Sequence, residues 1–423
     1  MFFTKLLIRS GLARYLPGVR RLGAGAEDFL PYYSNRLLAS PHAELCSAAE
    51  FFEAPTEPDQ IDLAAGTPNF DLVPSASTKL PADKRGYPPA WGLVELRTLV
   101  AEKFESEQQL HVNPQDEVLI THGVAGGFSV VLDTFVNRGD RVVLFDPCSP
   151  LYSLALRQRR ARLRWVDGRM DQGLFRFRHH DLAHALEGAR LIVLNVPANP
   201  TGANLAPEDI EEIAWWAERH DVLIFCDQAF ARFQYEEQPL EIGTLVKAHR
   251  RTLTAGSVSK GHALAAARVG WLAGHRHLLR ACALNSILHT PFVPTLCQQI
   301  ALTALRGPEE AFATIQADFA SRRRYCFERL QAMGFNAVWP AGGFFFWIPV
   351  WDQGLSGTTL AEKLRAEHKV LVWPGEHFGP SGLGYIRLSY ATQEGRLREG
   401  LTRLAEFVKN LSMSAPPPAK MAA

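Results

Sequence analysis

The residue with the most distinctive chemical setting in this chain is Lys260, which follows an apolar run and two serines. Ser257 and Ser259 precede it in the segment SVSK. A lysine at the end of a buried strand can form a Schiff base with an aldehyde. The alternative is a solvated surface lysine, which is the usual setting of this residue type. Lys260 alone leaves both interpretations open.

Two further charged residues lie in apolar sequence, where burial would require a partner. Arg268 lies inside the stretch AAARVGW, eight residues after Lys260, and Asp227 ends the run DVLIFCD. A buried guanidinium suits the oxygens of a phosphate, and an internal ion pair with Asp or Glu is the alternative. A buried carboxylate can keep a ring nitrogen protonated, and a helix N-cap is the alternative.

A glycine-rich turn at residues 123–127 follows the apolar run EVLIT and opens a predicted helix that ends near Asn137. The free N–H groups at the start of a helix can bind a phosphate. Glycine also simply permits tight turns, so the turn by itself is a weak signal.

These candidate residues follow apolar runs that alternate with helical patterns. The runs cover residues 117–121, 141–146, 190–197, 221–227, 251–257 and 269–274. Several are continuously apolar, as parallel strands buried on both faces are. The alternation predicts an α/β fold whose large domain has a mostly parallel sheet sandwiched by helices. Ligands bind beyond the carboxyl ends of such strands, so we expect the polar segments that follow them to converge on one rim.

The C-terminal part has a different pattern, which predicts a smaller α+β domain. A long helix is predicted at 308–333, strands near FFFWIP and YIRLSY, and a last helix at 394–411. The predicted organisation is a basic extension at 1–29, a segment at 30–72 that joins the small domain, a large domain at 73–322, the small domain at 323–412, and a disordered tail at 413–423.

Composition excludes several classes of function. The chain has 423 residues, of which 21% are charged, and its net charge of +1 gives no electrostatic case for binding nucleic acid. No apolar stretch approaches the roughly 18 residues that a membrane-spanning helix needs, so we expect no membrane partner. Six well-separated cysteines without a CxxC pair argue against a disulfide framework and against a metal site.

The N-terminus is basic. Residues 1–26 contain five basic and no acidic side chains before Glu27. We interpret them as an extension on a cytoplasmic protein, and a mitochondrial transit peptide is the alternative.

The segment SVSKGHALAAARVG, residues 257–270, resembles the lysine signature of class I and II aminotransferases, the fold-type I enzymes that use pyridoxal 5′-phosphate. Other landmarks of that family follow in order over about residues 60–410. They are Gly66-Thr67-Pro68, residues 87–92 with Leu96-Arg97, Asn199-Pro200-Thr201-Gly202, Asp227, residues 342–345 and Arg387-Leu388-Ser389.

The resemblance implies a role for each matching residue. Lys260 would form a Schiff base with pyridoxal phosphate and then move the Cα proton of the substrate. Asp227 would pair with the ring nitrogen, and Asn199 would bind the phenolic oxygen of the ring. The implied phosphate ligands are the amides of Val124 and Ala125, the side chains of Ser257 and Arg268, and Tyr87 from the other subunit of a homodimer.

The implied substrates are an L-amino acid and a 2-oxo acid. Arg387 would bind their α-carboxylate as a bidentate pair, with help from the amide of Gly66 and from Asn199.

Two positions depart from the family pattern. The family usually has tyrosine three residues after the aspartate, where this chain has Phe230. It also usually has a ring-stacking aromatic residue where this chain has Ser149, and Tyr152 is a nearby substitute.

The leading prediction is an aminotransferase, and a lyase, cyclase or oxidase that uses the same cofactor on an amino acid is the alternative. A cofactor-binding regulator is disfavoured because the N-terminus is too short for a helix-turn-helix domain.

Overall fold

The computed structural model describes residues 57–68 except Pro58, Phe70, residues 86–236 and residues 241–414. The predicted basic extension at 1–29, most of the predicted segment at 30–72, and residues 415–423 of the predicted tail lie outside the described residues.

The strands of the described residues form three sheets. They are β1 (Ile61–Asp62), β2 (Val118–Thr121), β3 (Arg141–Asp146), β4 (Arg162–Asp171), β5 (Leu174–Phe177), β6 (Ala189–Asn195), β7 (Leu223–Asp227), β8 (Thr252–Ser257), β9 (Gly270–Gly274), β10 (Phe345–Pro349), β11 (Val370–Leu371), β12 (Trp373–Pro374) and β13 (Tyr385–Ser389). The largest sheet has the order β2-β9-β8-β7-β6-β3-β4-β5. Its centre, from β8 to β4, is parallel, and β9, β2 and β5 add antiparallel pairs at its two ends.

The α-helices cover this sheet and build the C-terminal part. They are α1 (Val94–Gln108), α2 (Gly123–Phe135), α3 (Pro150–Gln158), α4 (His179–Leu186), α5 (Pro207–Arg219), α6 (Val246–His249), α7 (Arg276–His289), α8 (Thr295–Leu305), α9 (Glu309–Ala332), α10 (Gly357–His368) and α11 (Glu394–Ser414). The last helix ends three residues beyond its predicted end at Leu411.

The central strands are buried on both faces because helices pack on each side. Val143, Ile192 and Ile224 belong to one core with α4 and α5. Their sequence neighbours Val142 and Leu191 belong to a second core with α2 and α7. Alternate side chains of a strand point to opposite faces, so continuously apolar runs are needed here. All six apolar runs are strands, which confirms the predicted sheet sandwiched by helices.

Two strands of the sheet were missed by the pattern. In β4 one residue of ten is fully buried, and β5 pairs with β4 at the end of the sheet. These two strands lie at the end of the sheet, where helices cover less of each face, and β4 carries charges such as Arg162 and Arg169, so its sequence lacks the apolar run that marks the central strands.

The C-terminal part has its own sheet and an aromatic core. Strand β13 pairs antiparallel with β10 and β12, and β1 pairs in parallel with β11. The pairing of β1 attaches the N-terminal segment to this part of the chain. The predicted domain boundary between residues 322 and 323 lies inside α9, which is continuous.

Candidate active site

The carboxyl ends of β6, β7 and β8 open onto a cavity of about 730 Å³. This volume lies within the range of small-molecule sites, roughly 300–1,000 Å³. Every predicted site residue except Tyr87 lines the cavity: Gly66, Val124, Ala125, Asn199, Asp227, Ser257, Lys260, Arg268 and Arg387. The expectation that polar segments after the strands converge on one rim is therefore confirmed as geometry.

Lys260 follows β8 and projects into this cavity. Its Nζ donates a hydrogen bond to the carbonyl oxygen of Gly66 and lies 5.9 Å from the ring centroid of Phe230. Burial lowers the pKa of Lys260 to about 8, the charge of Arg387 contributes to that shift, and the charge of Asp227 opposes both. A lysine with a depressed pKa has more of the neutral, nucleophilic amine at physiological pH than a surface lysine has.

Asp227 ends β7 and is 4% exposed. The hydroxyl of Tyr152 donates to its Oδ2 at 2.5 Å, and the backbone N–H of Ala229 donates to its Oδ1 at 2.8 Å. Burial raises the pKa of Asp227, while these two hydrogen bonds and the nearby Lys260 lower it. A buried carboxylate held in this way can accept a proton donor from a bound ligand, such as a protonated ring nitrogen.

Arg387 is 2% exposed, and the described residues offer it neutral acceptors. Its Nη1 donates to Oδ1 of Asn199 at 2.7 Å, and its Nη2 donates to the carbonyl oxygen of Ala64 at 2.6 Å. Its buried Nε has no partner among the described residues. Burial lowers the pKa of Arg387, and the charge of Asp62 opposes that shift. A buried guanidinium in this state is prepared for an anionic ligand.

Three aromatic rings surround this guanidinium, and we call them the Arg387 cage. The Cζ atom of Arg387 lies 4.1 Å from the ring centroid of Phe345, 4.7 Å from that of Trp373 and 5.1 Å from that of Phe378. Cation–π contacts of this kind fix the plane of the guanidinium, which a bidentate carboxylate contact requires.

The start of α2 forms one end of the cavity and presents groups that can bind an anion. The first-turn amides of Val124 and Ala125 have no intrahelical acceptor, as is general for helix N-termini. Arg268 lies beside them and donates to the carbonyl oxygen of His122 at 3.4 Å. Gly123 has a φ of +69°, and a Cβ there would lie 2.8 Å from Nη2 of Arg268. A side chain at position 123 would therefore be strained by the positive φ and would push the end of the Arg268 side chain away from the helix.

Comparison with known proteins identifies the family. The sequence profile described as "Aminotransferase class I and II" matches residues 58–404. The chain belongs to the class I and II aminotransferase family.

Characterised relatives of this aminotransferase extend over most of both chains. The chain is 30% identical to the aromatic-amino-acid aminotransferase 2 of Thermococcus litoralis, over 82% of this chain and 92% of the relative. It is 29% identical to the aspartate aminotransferase of Pyrococcus abyssi, over 84% and 93%. Among solved structures, the aspartate aminotransferase of Thermus thermophilus with maleate is similar, with a TM-score of 0.79 and 30% identity over 88% of this chain and 99% of that one.

These findings confirm the predicted family, the fold-type I architecture and an enzyme that transfers amino groups. Aminotransferases act on small-molecule substrates, amino acids and 2-oxo acids, and the enzymes of this family use pyridoxal phosphate. The residues of the cavity fit that cofactor. An anion site, a buried carboxylate and a buried lysine line one volume, and the hydroxyl of Ser259 and Nε of Arg387 are buried there without partners among the described residues.

Tyr87 is the one predicted site residue that lies outside the cavity. Its side chain is 88% exposed and stacks on Phe292 with ring centroids 5.1 Å apart. Its predicted contact belongs to the partner subunit's site, so its position in a single chain neither supports nor opposes that role.

Two contacts that shape the site are not predicted by the sequence. The hydroxyl of Tyr152, which the sequence offers as a ring-stacking substitute, donates to Asp227, and the Tyr152 ring packs edge-on against Phe128. Asn195 accepts from the N–H of Asn199 at 2.8 Å and donates to the carbonyl oxygen of Asp227 at 3.0 Å. Asn195 ends β6 just before the Asn-Pro-Thr-Gly segment, and that position at the end of a strand was the available signal.

Within the described ranges, no helix is both long and apolar enough to cross a membrane. Residues 57–68, 86–236 and 241–414, with the gap at Pro58, contain no group of three His, Cys, Asp or Glu side chains arranged to hold a metal ion. The five described cysteines carry no disulfide, and Cys46 lies outside the described residues.

Proposed function

We propose that this aminotransferase binds pyridoxal phosphate in the 730 Å³ cavity and uses it to move an amino group from an L-amino acid to a 2-oxo acid. One observation supports this most directly. Lys260, with a pKa lowered to about 8, lies in a single cavity between the buried carboxylate of Asp227 and the buried guanidinium of Arg387. When bound, the cofactor supplies a carbonyl for the amine and a ring that accepts the electron pair released at Cα.

Each proposed role uses a side-chain property of this chain. Lys260 holds the cofactor. Its amine then removes the proton from Cα of the substrate and delivers it to a different carbon. Asp227, oriented by Tyr152, keeps the ring nitrogen protonated. Asn199 accepts from Arg387 through Oδ1, which leaves its amide N–H groups for the ring oxygen.

The remaining groups hold the two anionic ends. Val124, Ala125, Ser257 and Arg268 bind the phosphate, and Arg387 with Gly66 and Asn199 binds the α-carboxylate of the substrate.

We infer that the enzyme is a homodimer in which Tyr87 reaches the partner's phosphate site. Exposed apolar side chains support this proposal. In α7, Leu284 is 61% exposed and Leu288, one turn further on, is 79% exposed, and Phe292 stacks on the exposed ring of Tyr87. Exposed large apolar side chains one turn apart on a helix are typical of protein interfaces. Analytical ultracentrifugation of the wild type should give a dimer, and a monomer at micromolar concentration would contradict it.

We also infer a cytoplasmic location. Four of the five described cysteines are buried and none is in a disulfide, as is usual in a reducing compartment. Fractionation of cells that produce the tagged full chain tests this, and recovery in mitochondria would instead favour the transit-peptide interpretation.

The central experiment is a substrate panel on the purified protein loaded with pyridoxal phosphate. Each amino acid is paired with a 2-oxo acid, and the new amino acid and the new 2-oxo acid are quantified together. Equal amounts of the two products are expected for amino transfer. Lys260→Ala should give neither product, and Lys247→Ala, which changes an exposed lysine, is the matched control.

A second reaction at the same site remains a candidate because of Phe230 and Ser149. Phe230 is 6% exposed and packs edge-on against Phe344 and Phe345, so no hydroxyl is available where the family has tyrosine. Ser149 lines the cavity where the family has an aromatic ring. Release of ammonia and a 2-oxo acid without an acceptor, at a rate that matches or exceeds amino transfer, would indicate a lyase or oxidase reaction instead, and consumption of O2 would separate the oxidase from the lyase.

A further inference from the structure

Asp146 is a buried carboxylate that has no role in the proposed chemistry. It ends β3 and is 3% exposed. Its Oδ2 accepts the backbone N–H of Ser381 at 2.9 Å, and its Oδ1 accepts the hydroxyl of Ser381 at 2.8 Å. Burial raises the pKa of Asp146, and both bonds from Ser381 oppose that shift. One residue of the loop at 375–384 therefore supplies a donor to each carboxylate oxygen.

The same two segments meet at a second point. The backbone N–H of Cys148 donates to the carbonyl oxygen of Phe378 at 2.8 Å. Gly379 lies between the two contacts with a φ of +132°, and a Cβ there would lie 2.3 Å from Oδ1 of Asp146. Any larger residue would therefore separate the loop from the carboxylate. The turn that begins at Asp146 is attached to the loop on both sides of this glycine.

The loop at 375–384 carries part of the Arg387 cage. It connects β12, which contains Trp373, to β13, which contains Arg387. Phe378 is 1% exposed, and its ring packs edge-on against Trp347 at 5.5 Å and against Trp373 at 5.6 Å. A displacement of the loop would move Phe378 away from the guanidinium and allow Arg387 other orientations.

We propose that Asp146 is a positioning residue for substrate binding, and that its two hydrogen bonds to Ser381 hold the Phe378 loop so that Arg387 keeps its carboxylate-binding orientation. The inference rests on the proposed function, because it assigns the α-carboxylate to Arg387. It extends that function by making a residue at the end of β3, which does not line the cavity, a determinant of substrate affinity.

A role in folding alone makes different predictions from a positioning role. Arg387 holds the carboxylate both before and during the reaction, so loosening it should weaken substrate binding and leave kcat nearly unchanged. Loss of stability alone would lower the amount of active enzyme without changing KM. The split between KM and kcat therefore separates the two roles.

Four variants of the full chain, loaded with pyridoxal phosphate, test the proposal. Asp146→Ala removes both bonds, and Ser381→Ala removes the hydroxyl bond while the backbone bond remains. Asp146→Asn is the rescue variant, because its amide oxygen can accept the N–H of Ser381 and its amide nitrogen can donate to the hydroxyl. Asp171→Ala is the matched control, since Asp171 is an exposed carboxylate at the other end of β4 and has no contact with Asp146 among the described residues.

Kinetics are measured with the best substrate pair of the panel, and inhibition with acetate, butyrate and 3-phenylpropionate. Asp146→Ala should raise KM and all three inhibition constants about ten-fold, with kcat within about two-fold of the wild type. Ser381→Ala should raise them about three-fold, and Asp146→Asn and Asp171→Ala should stay within about two-fold. The absorbance spectrum of the bound cofactor should be the same in all four.

Unchanged KM and inhibition constants in Asp146→Ala would overturn the proposal, as would a failure of Asp146→Asn to restore them. If Asp146→Ala does not fold, Ser381→Ala decides, and wild-type constants in that variant overturn the proposal. The proposed function fails separately, if the wild type itself produces no amino-acid product from any pair.

Discussion

The two ends of the active site are built in different ways. The end around Lys260 and Asp227 consists of polar residues that directly follow strands of one parallel sheet, and Asn195 lies opposite Asp227 in the register of β6 and β7. The end around Arg387 consists of a guanidinium on β13 enclosed by the Arg387 cage, whose rings come from β10 and from β12 with the loop that follows it. Strand register fixes the first end, and aromatic packing fixes the second.

This difference bears on what each end can tolerate. The register of a central strand is set by hydrogen bonds and by cores on both faces, so its terminal residues move little when one side chain changes. A guanidinium held by ring contacts and by neutral acceptors depends on many weak contacts at once. We call the end around Lys260 and Asp227 the sheet end, and the end around Arg387 the cage end. We therefore expect changes at the sheet end to alter chemistry, and changes at the cage end to alter substrate affinity.

The largest expected effect is at the sheet end. Lys260→Ala should abolish turnover, because no other described lysine lines the cavity. Borohydride reduction of the loaded wild type, followed by peptide mapping, should place the cofactor on Lys260. The cofactor on another lysine would mean that the sheet end is not the reactive centre.

At the cage end, Arg387→Ala should weaken binding of every carboxylate substrate and leave the cofactor absorbance normal. Removing one partner of a desolvated charge pair costs about 2–5 kcal/mol, which corresponds to a rise in KM of roughly 30- to 5,000-fold. KM values for several donors and acceptors measure it, with Arg398→Ala on the exposed surface of α11 as the control. Normal KM values for all substrates would show that their carboxylates bind elsewhere.

The two ends also differ in how far the sequence predicts them. Apolar runs locate the strand ends, so the sequence pattern alone places Asp227, Asn199 and the glycine-rich start of α2 on one rim. The position of Arg387 came from the Arg-Leu-Ser resemblance, but its cage did not. Trp373 and Phe378 were not predicted, because ring packing between distant segments leaves no periodic signal. The bond from Tyr152 to Asp227 was missed for a related reason, since it joins residues 75 positions apart.

Tyr152→Phe tests whether the hydroxyl of Tyr152 contributes to chemistry at the sheet end. It removes the hydrogen bond to Asp227 and retains the ring, and a hydrogen bond to a charged group contributes about 1.5–3 kcal/mol, so kcat should fall roughly 10- to 100-fold. KM should change little, because Arg387 is untouched. Tyr235→Phe is the matched control, since it removes a buried hydroxyl that donates to Gly343 outside the cavity. A fall in affinity instead of kcat would contradict the separation of the two ends.

Lys260 lies between the ends, and its pKa reports on both. The amine captures an aldehyde only when it is neutral, so capture by the cofactor-free protein should rise with pH through a midpoint near 8, the value to which burial and Arg387 lower the pKa. Asp227 stabilises the charged ammonium, so Asp227→Asn should move the midpoint to lower pH. Arg387 repels it, so Arg387→Ala should move the midpoint to higher pH. Rates of trapping a small aldehyde with cyanoborohydride, read at the Lys260 peptide, measure both, and shifts in the same direction would refute this account.

The smallest expected effect concerns Phe230, which contacts both ends. Its ring packs edge-on against Phe345 of the cage with centroids 5.4 Å apart, and Lys260 lies over its face. Phe230→Tyr adds a hydroxyl where the family has one to donate to the phenolic oxygen of the ring. A donor there favours the deprotonated form of the bound cofactor, so the pH midpoint of its absorbance change should fall. One neutral hydrogen bond contributes about 0.5–1.5 kcal/mol and one pKa unit corresponds to about 1.4 kcal/mol, so the shift should be about one unit or less. Amino transfer should rise or stay constant if it is the native reaction, whereas a native elimination reaction that depends on Phe230 should slow.

Phe233→Tyr is the matched control, in the same aromatic core but outside the cavity. It should leave the midpoint unchanged and lower the thermal stability, since its new hydroxyl is buried in an apolar core. An unchanged or raised midpoint in Phe230→Tyr would show that position 230 does not correspond to the tyrosine of the family.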